Sequence, residues 1–347
     1  MYAKVKLPGR EEACMLRRKV YTGGSSPMLS LPKGWVEANG LGGGGYVMLD
    51  VQEDCIVIEP WNTAGGSGEF VIESGGMNEG ELHRRVIAAY LAGYSRISIR
   101  FDRNSIKLKD SARELLNFLV AVEIVKDLGY EVTAQVLLSH SKLPVMKTIE
   151  RVSVLVGGML GDLLKGMKER DSELIRHVAE REQEVDRLYF LAVRQLKSAA
   201  ASAAEAKQMG IQHRRDVLGM RLIVKSLERI ADHAETISRK VAELPEGCEL
   251  LLDAAERAVE MYGIARDACL RFDVEQAERV FRKLPEVERA VSEGSRGLID
   301  SSNCTEDIIT LRLSLESCYR IARYCCDMAE IVINMHAEVP ERGQDVR

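Results

Sequence analysis

The 347-residue chain is short of the features that would tie it to several large functional classes. Its eight cysteines, at positions 14, 55, 248, 269, 304, 318, 325 and 326, include no C-x-x-C pair and no zinc-type spacing. Cys325 and Cys326 are neighbours on an expected helix and point different ways, so reduced thiols in a cytoplasmic protein are the expectation. There is no basic excess. The net charge is −5, and a nucleic-acid or anionic-membrane partner would have to be held by a local patch. Apolar runs such as "LLNFLVAV" fall far short of the roughly 20 residues that span a bilayer, and the N-terminus has no apolar signal-peptide core. Membrane insertion is therefore not expected. Catalytic patterns are missing too: no Ser/His/Asp or Cys/His arrangement, no E-x-x-H, and no G-K-[ST] ending after the glycines at 23–24 and 42–45, which read as turns. No enzyme activity is expected.

What the chain does have is 46% hydrophobic residues and enough length for two or three domains. Residues 1–60 are strand-like, with "YVMLDV" and "CIVIEP" alternating at period two around a Gln52–Asp54 turn, the pattern of a hairpin. Ahead of that hairpin, Ser30 is placed to cap a short helix that opens at Pro32 and closes at Gly40. The expected order is strand, short helix, hairpin. "NTAGGSGEF" (62–70) reads as flexible, and the linker is drawn over 61–78. Residues 79–143 read as a small α/β segment: helix "GELHRRVIAAYLAG", strand "RISIRFD", helix "KDSARELLNFLVAVEIVKDLG", strand "EVTAQVLL".

After Pro144 the periodicity is helical throughout, as in Leu174, Val178, Val185, Leu188, Ala192 and Leu196. Clusters of Gly, Pro, Ser, Asn and Asp near 168–171, 207–212, 244–247, 272–273 and 300–305 divide it into six long helices. These six contain a repeat. "EVDRL" (184–188) corresponds to "EVERA" (286–290), and "ADHAETI" (231–237) to "CDMAEIV" (326–332), which makes two tandem three-helix units, 144–247 and 248–340. The fold class expected is mainly α: two tandem three-helix bundles preceded by a small β-rich domain and a short α/β segment.

The acidic residues follow the repeat. Glu182 and Asp186 are four apart, as are Glu228 and Asp232, which sets each pair on one helix face. Spacing alone says little, because 53 acids in 347 residues supply several such pairs by chance. Their placement says more: Glu182 with Asp232, and Asp186 with Glu228, are equidistant from residue 207, beside an expected turn. Helices folding back there would hold all four carboxylates at one height. In the second unit Leu284, Glu288, Arg323 and Asp327 are related in the same way, and the midpoint falls in "SSNCTE". Four close carboxylates repel unless a hard cation sits among them. Two carboxylates with an arginine can close as a salt bridge, the expectation for Arg323 with Glu288 or Asp327. One metal-capable site, in the first repeat, follows. Alternatively, the acids are a solvated helix face.

"EREQEVDRLYFLAVRQL" and "SLERIADHAETI" resemble the motifs of the PhoU family over roughly 145–340. The opening "RRKVYTGGSSPMLSLPKGWVEANGL" looks like the AbrB/SpoVT/MazE swapped-hairpin domain, and the combination is similar to archaeal PhoU-type phosphate uptake regulators. The resemblance implies a regulator of phosphate uptake that contacts a phosphate transporter or its sensor kinase. It implies a divalent metal (Fe, Zn, Mn or Mg) on Glu182, Asp186, Glu228 and Asp232, and carries that role less well to Glu288 and Asp327, where Leu284 and Arg323 depart from the motif. His233, one residue past Asp232, points about 100° away and reads as packing or a supporting hydrogen bond. For the N-terminal module the resemblance implies a homodimer. Arg17, Arg18, Lys19 and Lys33 are its candidate DNA-phosphate contacts, and a role in dimerisation alone stays open. Two other classes compete: a carboxylate-bridged di-metal enzyme, although ferritin-like sites use Glu-x-x-His, and a metal-free helical adaptor.

Overall fold

The computed structural model describes residues 17–23, 26–51, 55–61, 68–102, 105–138, 143–242, 249–300 and 305–337. The chain divides into two units, Met1–Gly65 and Gly66–Arg347.

In the first unit, β1 (Val20–Gly23) pairs antiparallel with β2 (Ser26–Leu29), α1 spans Lys33–Ala38, and β3 (Val47–Val51) pairs antiparallel with β4 (Ile56–Pro60). The second hairpin is the one expected from its alternation; its Gln52–Asp54 turn lies outside the described residues. The first strand is instead a hairpin of its own. Helix α1 also starts differently: Pro32 is the N-cap and no side chain caps it, so Ser30 does not act there. Its end follows the expectation. Gly40 adopts φ +65°, its N–H reaches the Glu37 carbonyl, and the Leu41 N–H reaches that of Val36 at 2.9 Å, the paired bonds of a Schellman termination. Among the described residues of this unit none is buried, and Val20, Tyr21, Leu49, Val51 and Trp61 are each more than half exposed.

The second unit opens with an α/β layer. Its elements are β5 (Glu69–Glu73), α2 (Glu79–Leu91), β6 (Arg96–Arg100), α3 (Ile106–Phe118), β7 (Val122–Leu128) and β8 (Glu131–Val136). The sheet order is β5-β6-β8-β7, with β5 and β6 parallel and the other neighbours antiparallel. Helix α2 is the crossover between the parallel strands, started by a capping box in which Asn78 and Glu81 each accept the other's backbone N–H. Ile72, Ile97, Ile99 and Val132 bury one sheet face against Leu82, Val86, Tyr90 and Leu116.

Two expectations fail here. Residues 69–73, read as linker, form β5, because its partner Arg96–Arg100 supplies the ladder that the flanking glycines concealed. The helix expected over 109–129 stops at Phe118. Ala121 takes φ +59°, and "VEIVKDL" becomes a strand against β8, where pairing overrides a helix-compatible pattern.

The remainder is helical: α4 (Val145–Glu169), α5 (Ser172–Ala201), short α6 (Ala203–Gln208), α7 (Asp216–Val241), α8 (Glu249–Arg271), α9 (Val274–Asp300) and α10 (Thr305–His336). Six long helices appear, as the sequence suggested. Helices α4, α5 and α7 pack as one trio and α8, α9 and α10 as another, joined by α7 along α10 and α4 along α8. One continuous apolar core, from Val145 to Val332, fills both trios. The turn expected near 207–212 is wider, since α5 ends at Ala201 and α6 occupies part of the connection. The α4–α5 break is built from Arg170 at φ +56° and from Asp171, whose carboxylate accepts the Glu173 and Leu174 N–H groups at 3.0 Å.

A buried cation helps fasten the α/β layer to the bundle, beside apolar contacts such as Phe118 with Phe190. The Arg194 guanidinium on α5 donates to the carbonyls of Tyr90, Gly93 and Tyr94, and stacks over the Tyr90 ring at 5.0 Å. These carbonyls end α2 and its following turn, where a positive charge is favoured. Cys269, Cys318, Cys325 and Cys326 are buried thiols; burial pushes Cys269 and Cys318 up to about 12, far from the reactive thiolate range.

Candidate metal centre

The first repeat places its acids on two neighbouring helices, Glu182 and Asp186 on α5, Glu228 and Asp232 on α7. Apolar residues between them, Val185 and Leu188 on α5, Leu227 and Ile230 on α7, are buried and set the face each carboxylate takes. Carboxylate oxygens of Glu182, Asp186 and Asp232 lie within 4.8 Å of one another, and all three side chains are half-buried. The fourth acid is not among them. Glu228 is held by the Lys225 ammonium through both oxygens, with the Arg229 guanidinium at 3.8 Å.

The electrostatics describe a crowded anionic site. Burial, followed by repulsion from Asp186, Glu235 and Asp232, pushes Glu182 up to about 7. Burial again, then Glu228 and Asp232, push Asp186 up to about 6. Asp232 is raised by burial and by Glu228, against the opposing pull of Arg229, which lies 3.2 Å from its carboxylate, and of Lys225. Burial and mutual repulsion thus move both acids toward neutral pH, and no cation bonds directly to Glu182 or Asp186 among the described residues. Such a donor set fits a hard or borderline divalent ion, which would supply the missing positive charge.

Two contributors were not singled out in the sequence. Glu235, three residues past Asp232 on α7, adds its charge to Glu182 while its own oxygen is bridged by Arg239 at 2.7 Å. Lys225, three residues before Glu228, neutralises that acid and lies 5.1 Å over the Tyr189 ring, beside Arg221 at 5.2 Å. The only signal for either was the i, i+3 spacing, which is common in a charge-rich helix.

The second repeat is arranged differently. Leu284 packs against the core, and Asp327, an exposed residue, has its pKa raised by partial desolvation against the opposing pull of Arg323. Glu288, Arg323 and Asp327 are all electrostatic neighbours of Cys326. The expected salt bridge is not made: Arg323 bonds to neither Glu288 nor Asp327 and acts only at a distance. With the cation preceding the acid at i, i+4, the orientation is the poorer one for a helical pair. His233 is not in the cluster; its ring stacks on Tyr324 of α10 at 5.8 Å, and burial lowers its pKa. Arg17, Arg18, Lys19 and Lys33 are all exposed in the N-terminal unit, Lys33 within 3.6 Å of Glu37 and Lys19 5.9 Å over Tyr21.

The fold and site therefore define a helical-bundle protein with a polycarboxylate cluster between two adjacent helices of its first trio. Residues 149–241, from within α4 to the end of α7, match the PhoU domain family model, and this stretch contains all four acids. The chain is 24% identical over 203 residues to the phosphate-specific transport system accessory protein PhoU homolog of Pseudomonas aeruginosa, covering 56% of this chain and 80% of that protein. Among solved structures, PhoU from Pseudomonas aeruginosa is similar at a TM-score of 0.47 and 21% identity, covering 55% of this chain and 94% of that one. The phosphate transport system regulatory protein PhoU from Streptococcus pneumoniae is similar at 0.47 and 15%, covering 55% and 92%. Among the described residues no helix is long and apolar enough to cross a membrane.

Proposed function

We propose that this protein is a PhoU-type regulator of phosphate transport that acts through contacts with a phosphate transporter or its signalling partner. The observation carrying this reading is the coincidence of the PhoU domain match at 149–241 with the helices that converge Glu182, Asp186 and Asp232. A divalent metal (Fe, Zn, Mn or Mg) would be held by those three acids, with Glu228 joining when it leaves Lys225. The ion would supply a fixed positive charge that neutralises the cluster and ties α5 to α7. Glu288 and Asp327 are weaker ligands, since Arg323 shares their surroundings.

The N-terminal unit is read as an AbrB-like dimerisation module. Its support is the absence of any buried side chain among its described residues, together with two separate two-stranded ladders whose edges need partners. A second copy of the same unit supplies matching strands and covers Val20, Leu49 and Val51. Arg17, Arg18, Lys19 and Lys33 then offer eight charges per dimer to DNA phosphates, and binding would fall steeply with salt.

Phosphate uptake by cells lacking this gene tests the regulatory role: uptake should stay high at abundant external phosphate and be restrained again by the wild-type gene. Restraint equally good with the gene deleted would refute it. Light scattering of a chain lacking residues 1–65 should give a monomer where the full chain gives a dimer, and a persistent dimer would move the interface elsewhere. Gel shifts at low salt, with and without alanine at the four basic positions, decide the DNA role.

A further inference from the structure

A cleft of about 260 Å³ lies where the α/β layer meets α4 and α5, away from the carboxylate cluster. At 100° per residue, its α5 lining, residues 184 to 191, lies on roughly the opposite side of that helix from Glu182 and Asp186. The floor is apolar, formed by Leu188 and Leu191 of α5 with Val120 and Leu143 from the layer side. The mouth is cationic: Lys147 and Arg151, one turn apart on α4, face Arg187 on α5. Lys147 pairs with Glu150 at 2.7 Å and Arg151 with Glu184 at 3.1 Å, both on largely exposed side chains. Exposed pairs of this kind contribute at most about 1 kcal/mol, so an incoming anion displaces them readily. Arg187 has neither an ion pair nor a hydrogen bond among the described residues. Behind it on the same face of α5, seven residues on, buried Arg194 is bonded by carbonyls, with the charge of Glu205 acting on it only at a distance, and both arginines act on Tyr90.

We propose that this cleft binds a small phosphate-bearing anion, its phosphoryl group on Arg187, Arg151 and Lys147 and any organic part on Leu143, Leu188 and Leu191. Three cations stand against two carboxylates, Glu184 and the Glu150 that pairs with Lys147, which leaves Arg187 unmatched for an anion, and guanidinium groups match phosphoryl oxygens in pairs. The apolar floor favours a phosphate ester over free phosphate, and the volume sets its size near that of a sugar phosphate or a nucleoside monophosphate. Because the lining comes from both the layer and the bundle, occupancy would tie the two together. This inference is independent of the metal reading and of the regulatory one.

Isothermal titration calorimetry on the full chain tests it, with chelator present so that no metal bridges the anion. The probes are adenosine 5′-monophosphate, glycerol 3-phosphate, inorganic phosphate and, as the uncharged control, adenosine. Saturable binding of a phosphate ester is expected, with adenosine at least tenfold weaker. Arg187→Gln should weaken binding about tenfold with an unchanged melting temperature, Arg187→Lys should restore part of it, and Arg312→Gln on distant α10 should leave it intact. Saturation by inorganic phosphate alone, with the same dependence on Arg187, supports the phosphoryl site with free phosphate as its source. No saturable binding of any phosphate probe up to millimolar concentration, or equal weakening by Arg312→Gln, overturns the proposal.

Discussion

Asp186 and Asp232 in the first repeat occupy the places that Glu288 and Asp327 hold in the second, yet the surroundings differ. In the first, burial and mutual repulsion raise Glu182 and Asp186 well above the usual carboxylate range. In the second, Leu284 fills the place of Glu182 by packing against the core, and the charge of Arg323 in the place of Glu228 opposes, without cancelling, the upward push of desolvation on Asp327. Two side chains separate a frustrated anionic site from an ordinary helix pair. A bundle can thus be duplicated without duplicating its chemistry, because the core positions that specify the helices are distinct from the few positions that specify charge.

Rebuilding the second site should give the largest effect. Leu284→Glu with Arg323→Glu is expected to raise bound Mn per chain measured after metal loading. Without metal it should lower stability by roughly 2–3 kcal/mol, since an acid replaces a partly buried leucine. Metal should then recover part of that loss, as ligand binding to the folded state does. A variant as stable as wild type that takes up no further metal would break the comparison.

Acidity gives a smaller effect with a definite sign. Glu182 and Asp186 have folded-state pKa values above their ordinary ones, so their contribution is fully present at low pH and is lost as pH rises, from about 4.5 through about 7 for Glu182 and from 3.8 through about 6 for Asp186. Screening at these half-exposed groups limits the loss to about 1 kcal/mol. In chelator, melting temperature should fall between pH 5 and pH 8, and Glu182→Gln with Asp186→Asn should remove about 2 °C of that fall. An identical pH profile for variant and wild type would show that the acids do not repel. Metal binding should run the other way and strengthen from pH 5 to pH 8, as the ligands ionise.

Lys225→Met sharpens the comparison within the first repeat. Glu228 loses the ammonium held by both of its oxygens. Metal affinity should rise about threefold, and metal-free stability should drop by about 1 kcal/mol as an added carboxylate goes unpaired. The smallest effect is expected from Asp327→Asn, within 0.5 kcal/mol and without change in metal content, as for a substitution away from a strained site.

Much of this arrangement was legible in the sequence. The six long helices and the hairpin of 47–60 follow from periodicity, and the common height of Glu182, Asp186 and Asp232 from spacing about residue 207, although that spacing does not say whether they face one another. The rest depended on partners that no local window contains. Strand β7 was hidden in a helix-compatible run because only pairing with β8 selects it, and β5 sat among glycines that read as linker. Symmetric spacing could place Glu228 at the right height but not reveal that Lys225, one turn away, would take its carboxylate. The Arg323 salt bridge failed for the same reason: adjacency on a helix does not fix where a long side chain points.

Anomalous diffraction at the manganese edge, from crystals of the full chain grown with Mn, tests the central claim most directly. A peak within bonding distance of Glu182, Asp186 and Asp232, and none beside Glu288 and Asp327, is the expected result. Density absent from the first cluster, or equal peaks in both repeats, would contradict the account.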